Sequence, residues 1–309
     1  MRPLRQAVDD YLQLRRGLGF KLQRHEPCLR EFVSFLKEKR ASRITSQLAL
    51  QFATRHQHQK PEEWAIRLTI VRQFASYRSG TDPRTEVPPQ GLLLYSPKRA
   101  QPYLYSDNEI RQLLRAAKDL PGAGLRPWTY YCLFGLLAVS GMRLGEAVNL
   151  QTQDIDWAQG VLTIRGAKFG KSRLVPLHAS TRKILAQYLR RRNRFLSGKP
   201  IDHFFVSDRG RRLNYCCIHQ IFYKLSRQIG LRAAGASHGP RLHDFRHRFA
   251  VETLTSWYRA GKNVAQFLPV LSTYLGHATV TDTYWYLTNT PGLMAAAGKR
   301  LEKRWRGVK

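Results

Sequence analysis

Between Gly160 and Leu177 the chain reads GVLTIRGAKFGKSRLVPL. The two ends of this stretch, residues 160–165 and 173–177, are rich in aliphatic and β-branched side chains, which favour strands. Between them lies GAKFGKS, whose glycines and lysines are typical of an exposed turn. The stretch therefore predicts an antiparallel β-hairpin with a Gly-rich, basic tip.

The sequence on both sides of this hairpin is mainly helical. Upstream, the most apolar run is Trp128–Val139, which is shorter than the roughly 20 residues that span a bilayer and so predicts a buried helix. Another helix should begin after Ser106, because Ser106 can cap it and Glu109 can reach back to the cap amide. Downstream we expect a short strand at His203–Val206 and then helices. This half of the chain is predicted to be mainly α with a small antiparallel β-sheet.

The first 85 residues are predicted to be entirely helical, because apolar residues recur in them at spacings near 3.6. The stripes are Val8, Tyr11, Leu12, Leu14 and Leu18; Phe32, Val33, Phe35 and Leu36; Leu48 to Phe52 after Thr45; and the apolar residues of Glu62–Tyr77. Five prolines then lie between Thr81 and Pro102, which is linker composition. We therefore predict a helical domain at 1–98, a linker at 99–105 and a second domain at 106–309.

Net charge indicates the partner. The chain of 309 residues has 52 Lys or Arg and 21 Asp or Glu, a formal charge of +31, and both predicted domains share the excess. Basic side chains that neutralise phosphates release condensed counterions, so this charge favours a polyanion. Two basic domains joined by a linker predict a clamp around double-stranded DNA. The chain shows no secretory signal and no spanning segment, so we expect a cytoplasmic protein without a membrane partner.

Several classes of site are disfavoured. The four cysteines form no C-x-x-C pair, and Cys216 and Cys217 are adjacent, so we expect reduced packing residues rather than zinc ligands. The acidic residues are scattered, which disfavours a two-metal nuclease. The chain has no G-x-x-x-x-G-K-[ST] loop of an ATP-driven motor. We therefore expect no metal and no other cofactor.

Polar residues that could carry chemistry occur in four segments beside apolar helices. The segments are SGMRLGEA at 140–147, the hairpin with Lys168, LHDFRH at 242–247 and LGHATVTDTYWY at 275–286. In this order they resemble the tyrosine recombinase, or phage-integrase, family. That family has an arginine in T/S-G-x-R-x-x-E, a lysine in a hairpin, H-x-x-R, and L-G-H with a tyrosine nine residues after the histidine. The resemblance covers about 106–290 and implies a helical core-binding domain followed by a mixed α/β catalytic domain.

The resemblance also implies a reaction. Tyr286 would attack the scissile phosphate, leaving a 3′-phosphotyrosyl link and a free 5′-hydroxyl without ATP. Arg143 and Arg246 would hold the phosphate, since guanidinium forks suit its charge and shape. His243 lies three residues before Arg246, so a helix would place both on one face.

The remaining roles concern protons. An ordinary tyrosine has a pKa near 10, and the alkoxide that leaves is basic, so both ends of the displacement need proton transfer. By resemblance, His243 would receive or orient the phenolic proton and Lys168 would protonate the departing 5′-oxygen. His277 would hydrogen-bond the phosphate, and Glu146 would orient a basic group.

Two assignments have a neighbouring competitor. Counting back from the RLVPL ending selects Lys168 over Lys171, and the nine-residue spacing from His277 selects Tyr286 over Tyr284.

The tail at 291–306 is predicted to be an amphipathic basic helix, because Leu293, Ala297, Leu301 and Trp305 recur every four residues. Folding back on its own domain and docking on a neighbouring subunit both remain open for this helix.

The sequence thus predicts a site-specific recombinase that acts through a Holliday junction, with an integrase or transposase role in a mobile element. The resemblance implies four protomers on two DNA sites and leaves accessory recombinases open. One alternative is a type IB topoisomerase, which shares the chemistry but works as a monomer. The other is a non-catalytic DNA-binding protein with this fold.

Overall fold

The chain forms two compact units, residues 1–100 and 101–309, in a computed structural model. The structure describes residues 3–93, 101–122, 124–166, 172–197, 199, 201–236 and 238–288, and in the tail 292, 294, 295, 297, 298, 302 and 305. The predicted hairpin tip, with Lys168 and Lys171, lies outside the described residues.

The first unit is helical, as the stripes predicted. It consists of α1 (Leu4–Gly17), α2 (His25–Glu38), α3 (Ser46–Thr54) and α4 (Pro61–Ser79). Phe32, Phe52 and Phe74 are fully buried in its core, with the rings of Phe32 and Phe52 4.9 Å apart. Thr45 caps α3, since its side chain accepts a hydrogen bond from the amide of Leu48.

An ion-pair centre joins α2 to α4. The carboxylate of Glu31 accepts bonds of 2.8 and 3.0 Å from the two terminal nitrogens of Arg67, and the ring of His56 lies 2.9 Å from it. These interactions, that of Arg67 first, lower the pKa of Glu31 to about 2. The guanidinium group of Arg67 also lies 4.1 Å above the ring of Phe52. Arg67 therefore joins α4 to α2 through its ion pair and to α3 through its contact with Phe52.

The apolar stripe of α1 was predicted too long. Val8, Tyr11 and Leu12 are buried as expected, but Leu14 and Leu18 are exposed. Leu14 lies two residues after Leu12, which is about 200° around a helix and so on the opposite face. Leu18 lies just beyond the last helical residue.

The second unit combines eight helices with one small sheet over its described residues. In chain order it contains α5 (Asp107–Lys118), α6 (Arg126–Ser140), α7 (Leu144–Asn149), β1 (Ile155–Asp156), β2 (Val161–Ile164), β3 (Arg173–Pro176), α8 (Ala179–Phe195), α9 (Tyr215–Gln228), α10 (Asp244–Arg259), α11 (Val264–Leu275) and α12 (Thr281–Thr288). The sheet is antiparallel in the order β1-β2-β3, with Ile164 opposite Arg173. The predicted fold class and the hairpin strands are confirmed.

Two local predictions are confirmed in α5 and α6. Ser106 and Glu109 form the expected capping box at the start of α5. The apolar run becomes α6, in which Leu133, Phe134 and Leu137 are buried. None of the helices within the described ranges is both long and apolar enough to cross a bilayer.

The strand predicted at His203–Val206 does not join the sheet. This segment makes only isolated bridges, although Phe204 and Phe205 are fully buried. The buried side chain of Arg192 donates to the carbonyl groups of His203 and Phe204, at 2.6 and 3.2 Å. An arginine therefore occupies acceptors that a strand ladder would use.

Two cysteines also differ from the prediction. Cys28 and Cys132 are buried packing residues, whereas Cys216 and Cys217 are exposed in the first turn of α9. All four are free thiols. The predicted tail helix at 291–306 lies mostly outside the described residues, and its docking stays a prediction.

Two glycines with left-handed backbone follow the helices that lead into two of the polar segments. Gly141 follows α6 with φ +61°, and Gly276 follows α11 with φ +66°. A Cβ on Gly141 would lie 2.7 Å from the ring of Phe249 on α10. The close approach of α6 to α10 therefore requires glycine for space as well as for conformation.

We expect Gly141→Ala to destabilise the second unit more than Gly230→Ala does. Gly230 also has positive φ, but nothing lies within 4 Å of its added Cβ, so alanine there costs only the left-handed strain of about 1–2 kcal/mol. Gly141→Ala should cost about 1–3 kcal/mol more through overpacking. Urea unfolding followed by tryptophan fluorescence measures both. Equal losses would show that Phe249 moves away freely.

Candidate active site

The polar segments converge at the ends of helices in the second unit. Arg143 immediately precedes α7, and Arg246 lies in the first turn of α10, which His243 precedes. His277 follows the end of α11, and Tyr286 lies on α12. Helix ends carry backbone groups without partners inside the helix, so such a cluster is rich in groups that can bind side chains.

The C-terminal end of α11 binds three arginines. Arg173 donates from Nε to the carbonyl of Tyr274 at 2.7 Å, and Arg246 donates from Nη2 to that of Leu275 at 2.5 Å. Arg143 donates from Nη2 to the carbonyl of Gly276 at 3.0 Å. Consecutive carbonyls at the partially negative end of a helix thus bind guanidinium groups from three separate elements.

Arg246 is an uncompensated buried cation. Arg246 is 1% exposed, and its Nη1 donates to the carbonyl of Gly141 at 3.0 Å. No carboxylate in the described part of the chain forms a salt bridge with it. Burial, and next the charge of Arg143, lowers the pKa of Arg246 to about 10, so it is still charged at neutral pH. A buried positive charge without a carboxylate partner suits a bound anion.

Arg143 is the more accessible of the two phosphate candidates. About a third of its side chain is exposed, and Nη1 donates to Glu146 at 3.0 Å. The backbone amide of Arg143 also donates to this carboxylate, at 2.8 Å. Glu146 therefore contacts Arg143 in the way expected of an orienting carboxylate.

Arg173 is the residue at this site that sequence reasoning missed. Its two terminal nitrogens bind both oxygens of Glu146, at 2.8 and 2.7 Å. The sequence contains only an indirect signal for Arg173. Glu146 is expected to orient a basic group, and in a chain with so many basic residues its carboxylate can bind a second one. The spacing along the chain does not show which basic residue that is.

His277 is held in a defined orientation. Its Nδ1 lies 2.8 Å from the hydroxyl of the buried Thr283, and its ring is stacked on that of Tyr286 at 6.0 Å. Burial, and next the charges of Arg246 and Arg143, lowers the pKa of His277 to about 4. The ring is therefore neutral at neutral pH and can hydrogen-bond an anion without carrying charge.

Two further histidine rings lie at the start of α10, and that of His247 contacts Tyr286. The ring of His247 lies 4.8 Å from that of His243 and 5.4 Å from that of Tyr286. Burial, followed by the charge of Arg246, lowers the pKa of His243. The ring of His247 thus lies between those of His243 and Tyr286.

Of the two competing tyrosines, only Tyr286 lies among these groups. It is 4% exposed and lies beside the guanidinium group of Arg246. Tyr284 is 49% exposed. Two residues correspond to about 200° on a helix, so the two phenols lie on opposite faces of α12.

The arrangement is suited to binding and attacking a phosphate diester. Two guanidinium groups and a neutral imidazole face the same region as one buried phenol, and the carboxylate of Glu146 beside them is itself paired with arginines. Over the described residues no group of three or more His, Cys, Asp or Glu could hold a metal. The structure brings together Arg143, His243, Arg246, His277 and Tyr286.

Sequence comparison finds the same family as the motifs. Residues 104–292 match the model of the Phage integrase family. The chain is 55% identical over 310 residues to a putative integrase/recombinase, y4rB, of Sinorhizobium fredii, covering 99% of each chain. It is 36% identical to the putative integrase/recombinase y4rE of the same organism, covering 96% of this chain and 95% of that one.

Solved structures share the fold at low identity. The chain matches the Tn1549 transposon integrase in complex with transposon right end DNA at a TM-score of 0.67 and 14% identity, covering 96% of this chain and 98% of that one. It matches a lambda integrase dimer bound to a core site at 0.61 and 17%, covering 93% and 96%. These likenesses concern the fold alone.

We expect His277 to make stability pH-dependent. Its pKa of about 4 in the folded state lies below the ordinary 6.5, so the unfolded chain binds the proton first as the pH falls. The His277 contribution should therefore be complete above pH 6.5 and decline progressively towards pH 4. Urea unfolding without DNA at pH 7, 5.5 and 4.5 should show wild type losing its advantage over His277→Asn.

The matched control is His58→Asn, which removes an exposed imidazole from the first unit. A difference between wild type and His277→Asn that stays constant over this pH range would contradict the burial of a neutral ring.

Proposed function

The chain belongs to the phage integrase family, and on that premise we propose that it is a site-specific tyrosine recombinase that cuts and rejoins DNA. Cleavage would proceed through a 3′-phosphotyrosyl intermediate and strand exchange through a Holliday junction. The observation that carries this proposal is the buried pairing of Arg246 with Tyr286, since a buried cation without a carboxylate partner lies beside a phenol on the core face of α12.

The reaction follows from charge. The phenolic oxygen of Tyr286 forms a bond to phosphorus as the bond to the 5′-oxygen breaks, and extra negative charge builds on the non-bridging oxygens. Arg143 and Arg246 stabilise that charge, and fixed donors of this kind are among the largest contributions to catalysis. Neutral His277 donates a further hydrogen bond from the nitrogen that does not face Thr283.

Protons move at both ends of the displacement. His243, whose pKa is lowered by burial, is neutral at working pH and is suited to receive the phenolic proton. Lys168 of the hairpin protonates the 5′-oxygen in this proposal. The 5′-hydroxyl of a second strand then attacks the phosphotyrosine and regenerates the phenol, so no external energy source is consumed.

The net charge and the similarity to named relatives support a wider role in DNA binding and in a mobile element. The helical domain at 1–98 and the catalytic domain at 106–309 would clamp double-stranded DNA, with four protomers on two sites. The relatives named integrase/recombinase support a mobile-element integrase or transposase. These relatives come from a bacterium, and bacterial DNA lies in the cytoplasm. We therefore propose a cytoplasmic location for this chain.

Trapping the covalent intermediate tests the activity. Wild type, Tyr286→Phe and Tyr284→Phe are incubated without metal with nicked duplexes that carry the ends of the encoding element, and denaturing gels resolve protein–DNA adducts. We expect a 3′-linked adduct in wild type and Tyr284→Phe only. Loss with Tyr284→Phe instead would reassign the nucleophile. Tight binding without any adduct would favour the non-catalytic alternative.

The number of protomers on DNA separates recombination from topoisomerase activity. We expect mass photometry to show two protomers on one full site and four on two joined sites, because strand exchange needs a nucleophile for each strand. A monomer that relaxes supercoiled plasmid at catalytic concentrations would contradict the proposal and favour a type IB topoisomerase.

A further inference from the structure

Arg173 lies at the base of the hairpin and reaches into the arginine cluster. It is the first residue of β3, opposite Ile164 at the end of β2. Its side chain is only 8% exposed, and all three of its nitrogen positions donate hydrogen bonds. The two terminal nitrogens bind Glu146 on α7, and Nε binds the carbonyl of Tyr274 on α11. One side chain therefore joins the sheet, α7 and the end of α11.

The carboxylate of Glu146 is shared between two cations. Its Oε1 accepts from Arg173 at 2.8 Å and from Arg143 at 3.0 Å, while its Oε2 accepts from Arg173 at 2.7 Å and from the amide of Arg143 at 2.8 Å. Burial alone would raise the pKa of Glu146, but Arg173, and next Arg143, lowers it. The carboxylate is therefore ionised, and its charge is divided between two arginines.

This division decides how much positive charge Arg143 presents. A carboxylate that paired with Arg143 alone would offset its charge and repel an incoming phosphate. With Arg173 present, the group of two guanidiniums and one carboxylate keeps a net positive charge. Arg173 also fixes both oxygens of Glu146, so the acceptor that orients Arg143 cannot rotate.

The backbone at Gly276 is shaped around the same guanidinium group. A Cβ at this position would lie 2.9 Å from Nη1 of Arg173, and its φ of +66° already favours glycine. The glycine of the L-G-H segment therefore leaves room for Arg173, while its carbonyl accepts the bond from Arg143. Arg173 and Arg143 thus contact the same residue from two elements.

We propose that Arg173 is a positioning residue for DNA cleavage, which holds Glu146 and offsets its charge so that Arg143 can act on the scissile phosphate. This inference rests on the proposed recombinase activity. It predicts a specific electrostatic signature, because the harm done by losing Arg173 comes from the carboxylate that it leaves behind.

The test measures the single-turnover rate of adduct formation at saturating protein, and separately the affinity for the same nicked duplex. Removing one fixed hydrogen-bond donor that stabilises a transition state costs about 10²–10³-fold, and an indirect role should cost less, so we expect Arg173→Met to slow cleavage at least about tenfold. The affinity should change less than about threefold, because phosphate contacts elsewhere supply most of it.

The double variant gives the decisive comparison. The double variant combines Arg173→Met with Glu146→Gln and so removes the carboxylate that Arg173 no longer offsets. We therefore expect the double variant to cleave several-fold faster than Arg173→Met alone. A purely structural role predicts that the double variant is no faster, and that result would overturn the proposal. Arg173→Met cutting at the wild-type rate would overturn it as well.

Arg192→Met is the matched control for losing a buried arginine. Arg192 is 4% exposed and is bound by backbone carbonyls and polar side chains away from this cluster, so its variant should lose stability without slowing cleavage by folded protein. Near-UV circular dichroism establishes that each variant is folded. If Arg173→Met does not fold, Arg173→Lys carries the test, because lysine keeps the charge but cannot bind both carboxylate oxygens and Tyr274 together.

Arg173→Lys should cut more slowly than wild type at unchanged affinity, and a wild-type rate would overturn the proposal. In the same gels, adduct formation by the wild-type protein tests the proposed recombinase activity itself. No adduct from wild type would contradict the recombinase function itself, whereas an adduct from wild type with unaffected Arg173 variants would contradict only the positioning role.

Discussion

Three hydrogen bonds from arginines to consecutive carbonyl groups at the end of α11 hold the candidate active site together. A helix end leaves carbonyls without partners, and a buried guanidinium group needs acceptors, so each satisfies the other. The choice of acceptor matters because a carbonyl orients an arginine without cancelling its charge. Arg246 bonds to the carbonyls of Leu275 and Gly141 in this way and keeps its charge for an anion.

The surrounding groups follow from that requirement. Burial, and next the positive charge of the neighbouring arginines, lowers the pKa of both His277 and His243, so both rings are neutral hydrogen-bonding groups rather than further cations. The carboxylate of Glu146 contacts the arginine cluster and is shared between Arg143 and Arg173. In the proposed function, the global charge of +31 and this local arrangement act at different ranges, since the first would attract DNA and the second would receive a single phosphate.

Much of this could be predicted from sequence because each signal was local. The capping box at Ser106, the hairpin strands and the helical stripes depend on neighbours within a few residues. The role of Arg173 could not be predicted, since it depends on where β3 meets α7. Leu18 was misplaced because a stripe does not show where a helix ends, whereas the two-residue spacing of Leu14 from Leu12 already places it off the buried face. The strand at His203–Val206 failed because a distant arginine occupies its carbonyls, which no spacing reveals.

The acceptor half of the site is made of main-chain atoms, and this affects how the protein can change over time. A single substitution can remove an arginine, but no substitution removes a carbonyl group. The sequence of α11 can therefore drift while the helix still ends at Leu275 and Gly276 keeps its left-handed conformation. An insertion or deletion within α11 would instead rotate the three carbonyls away from their donors. The site should therefore tolerate many side-chain changes in this helix and very few changes in its length.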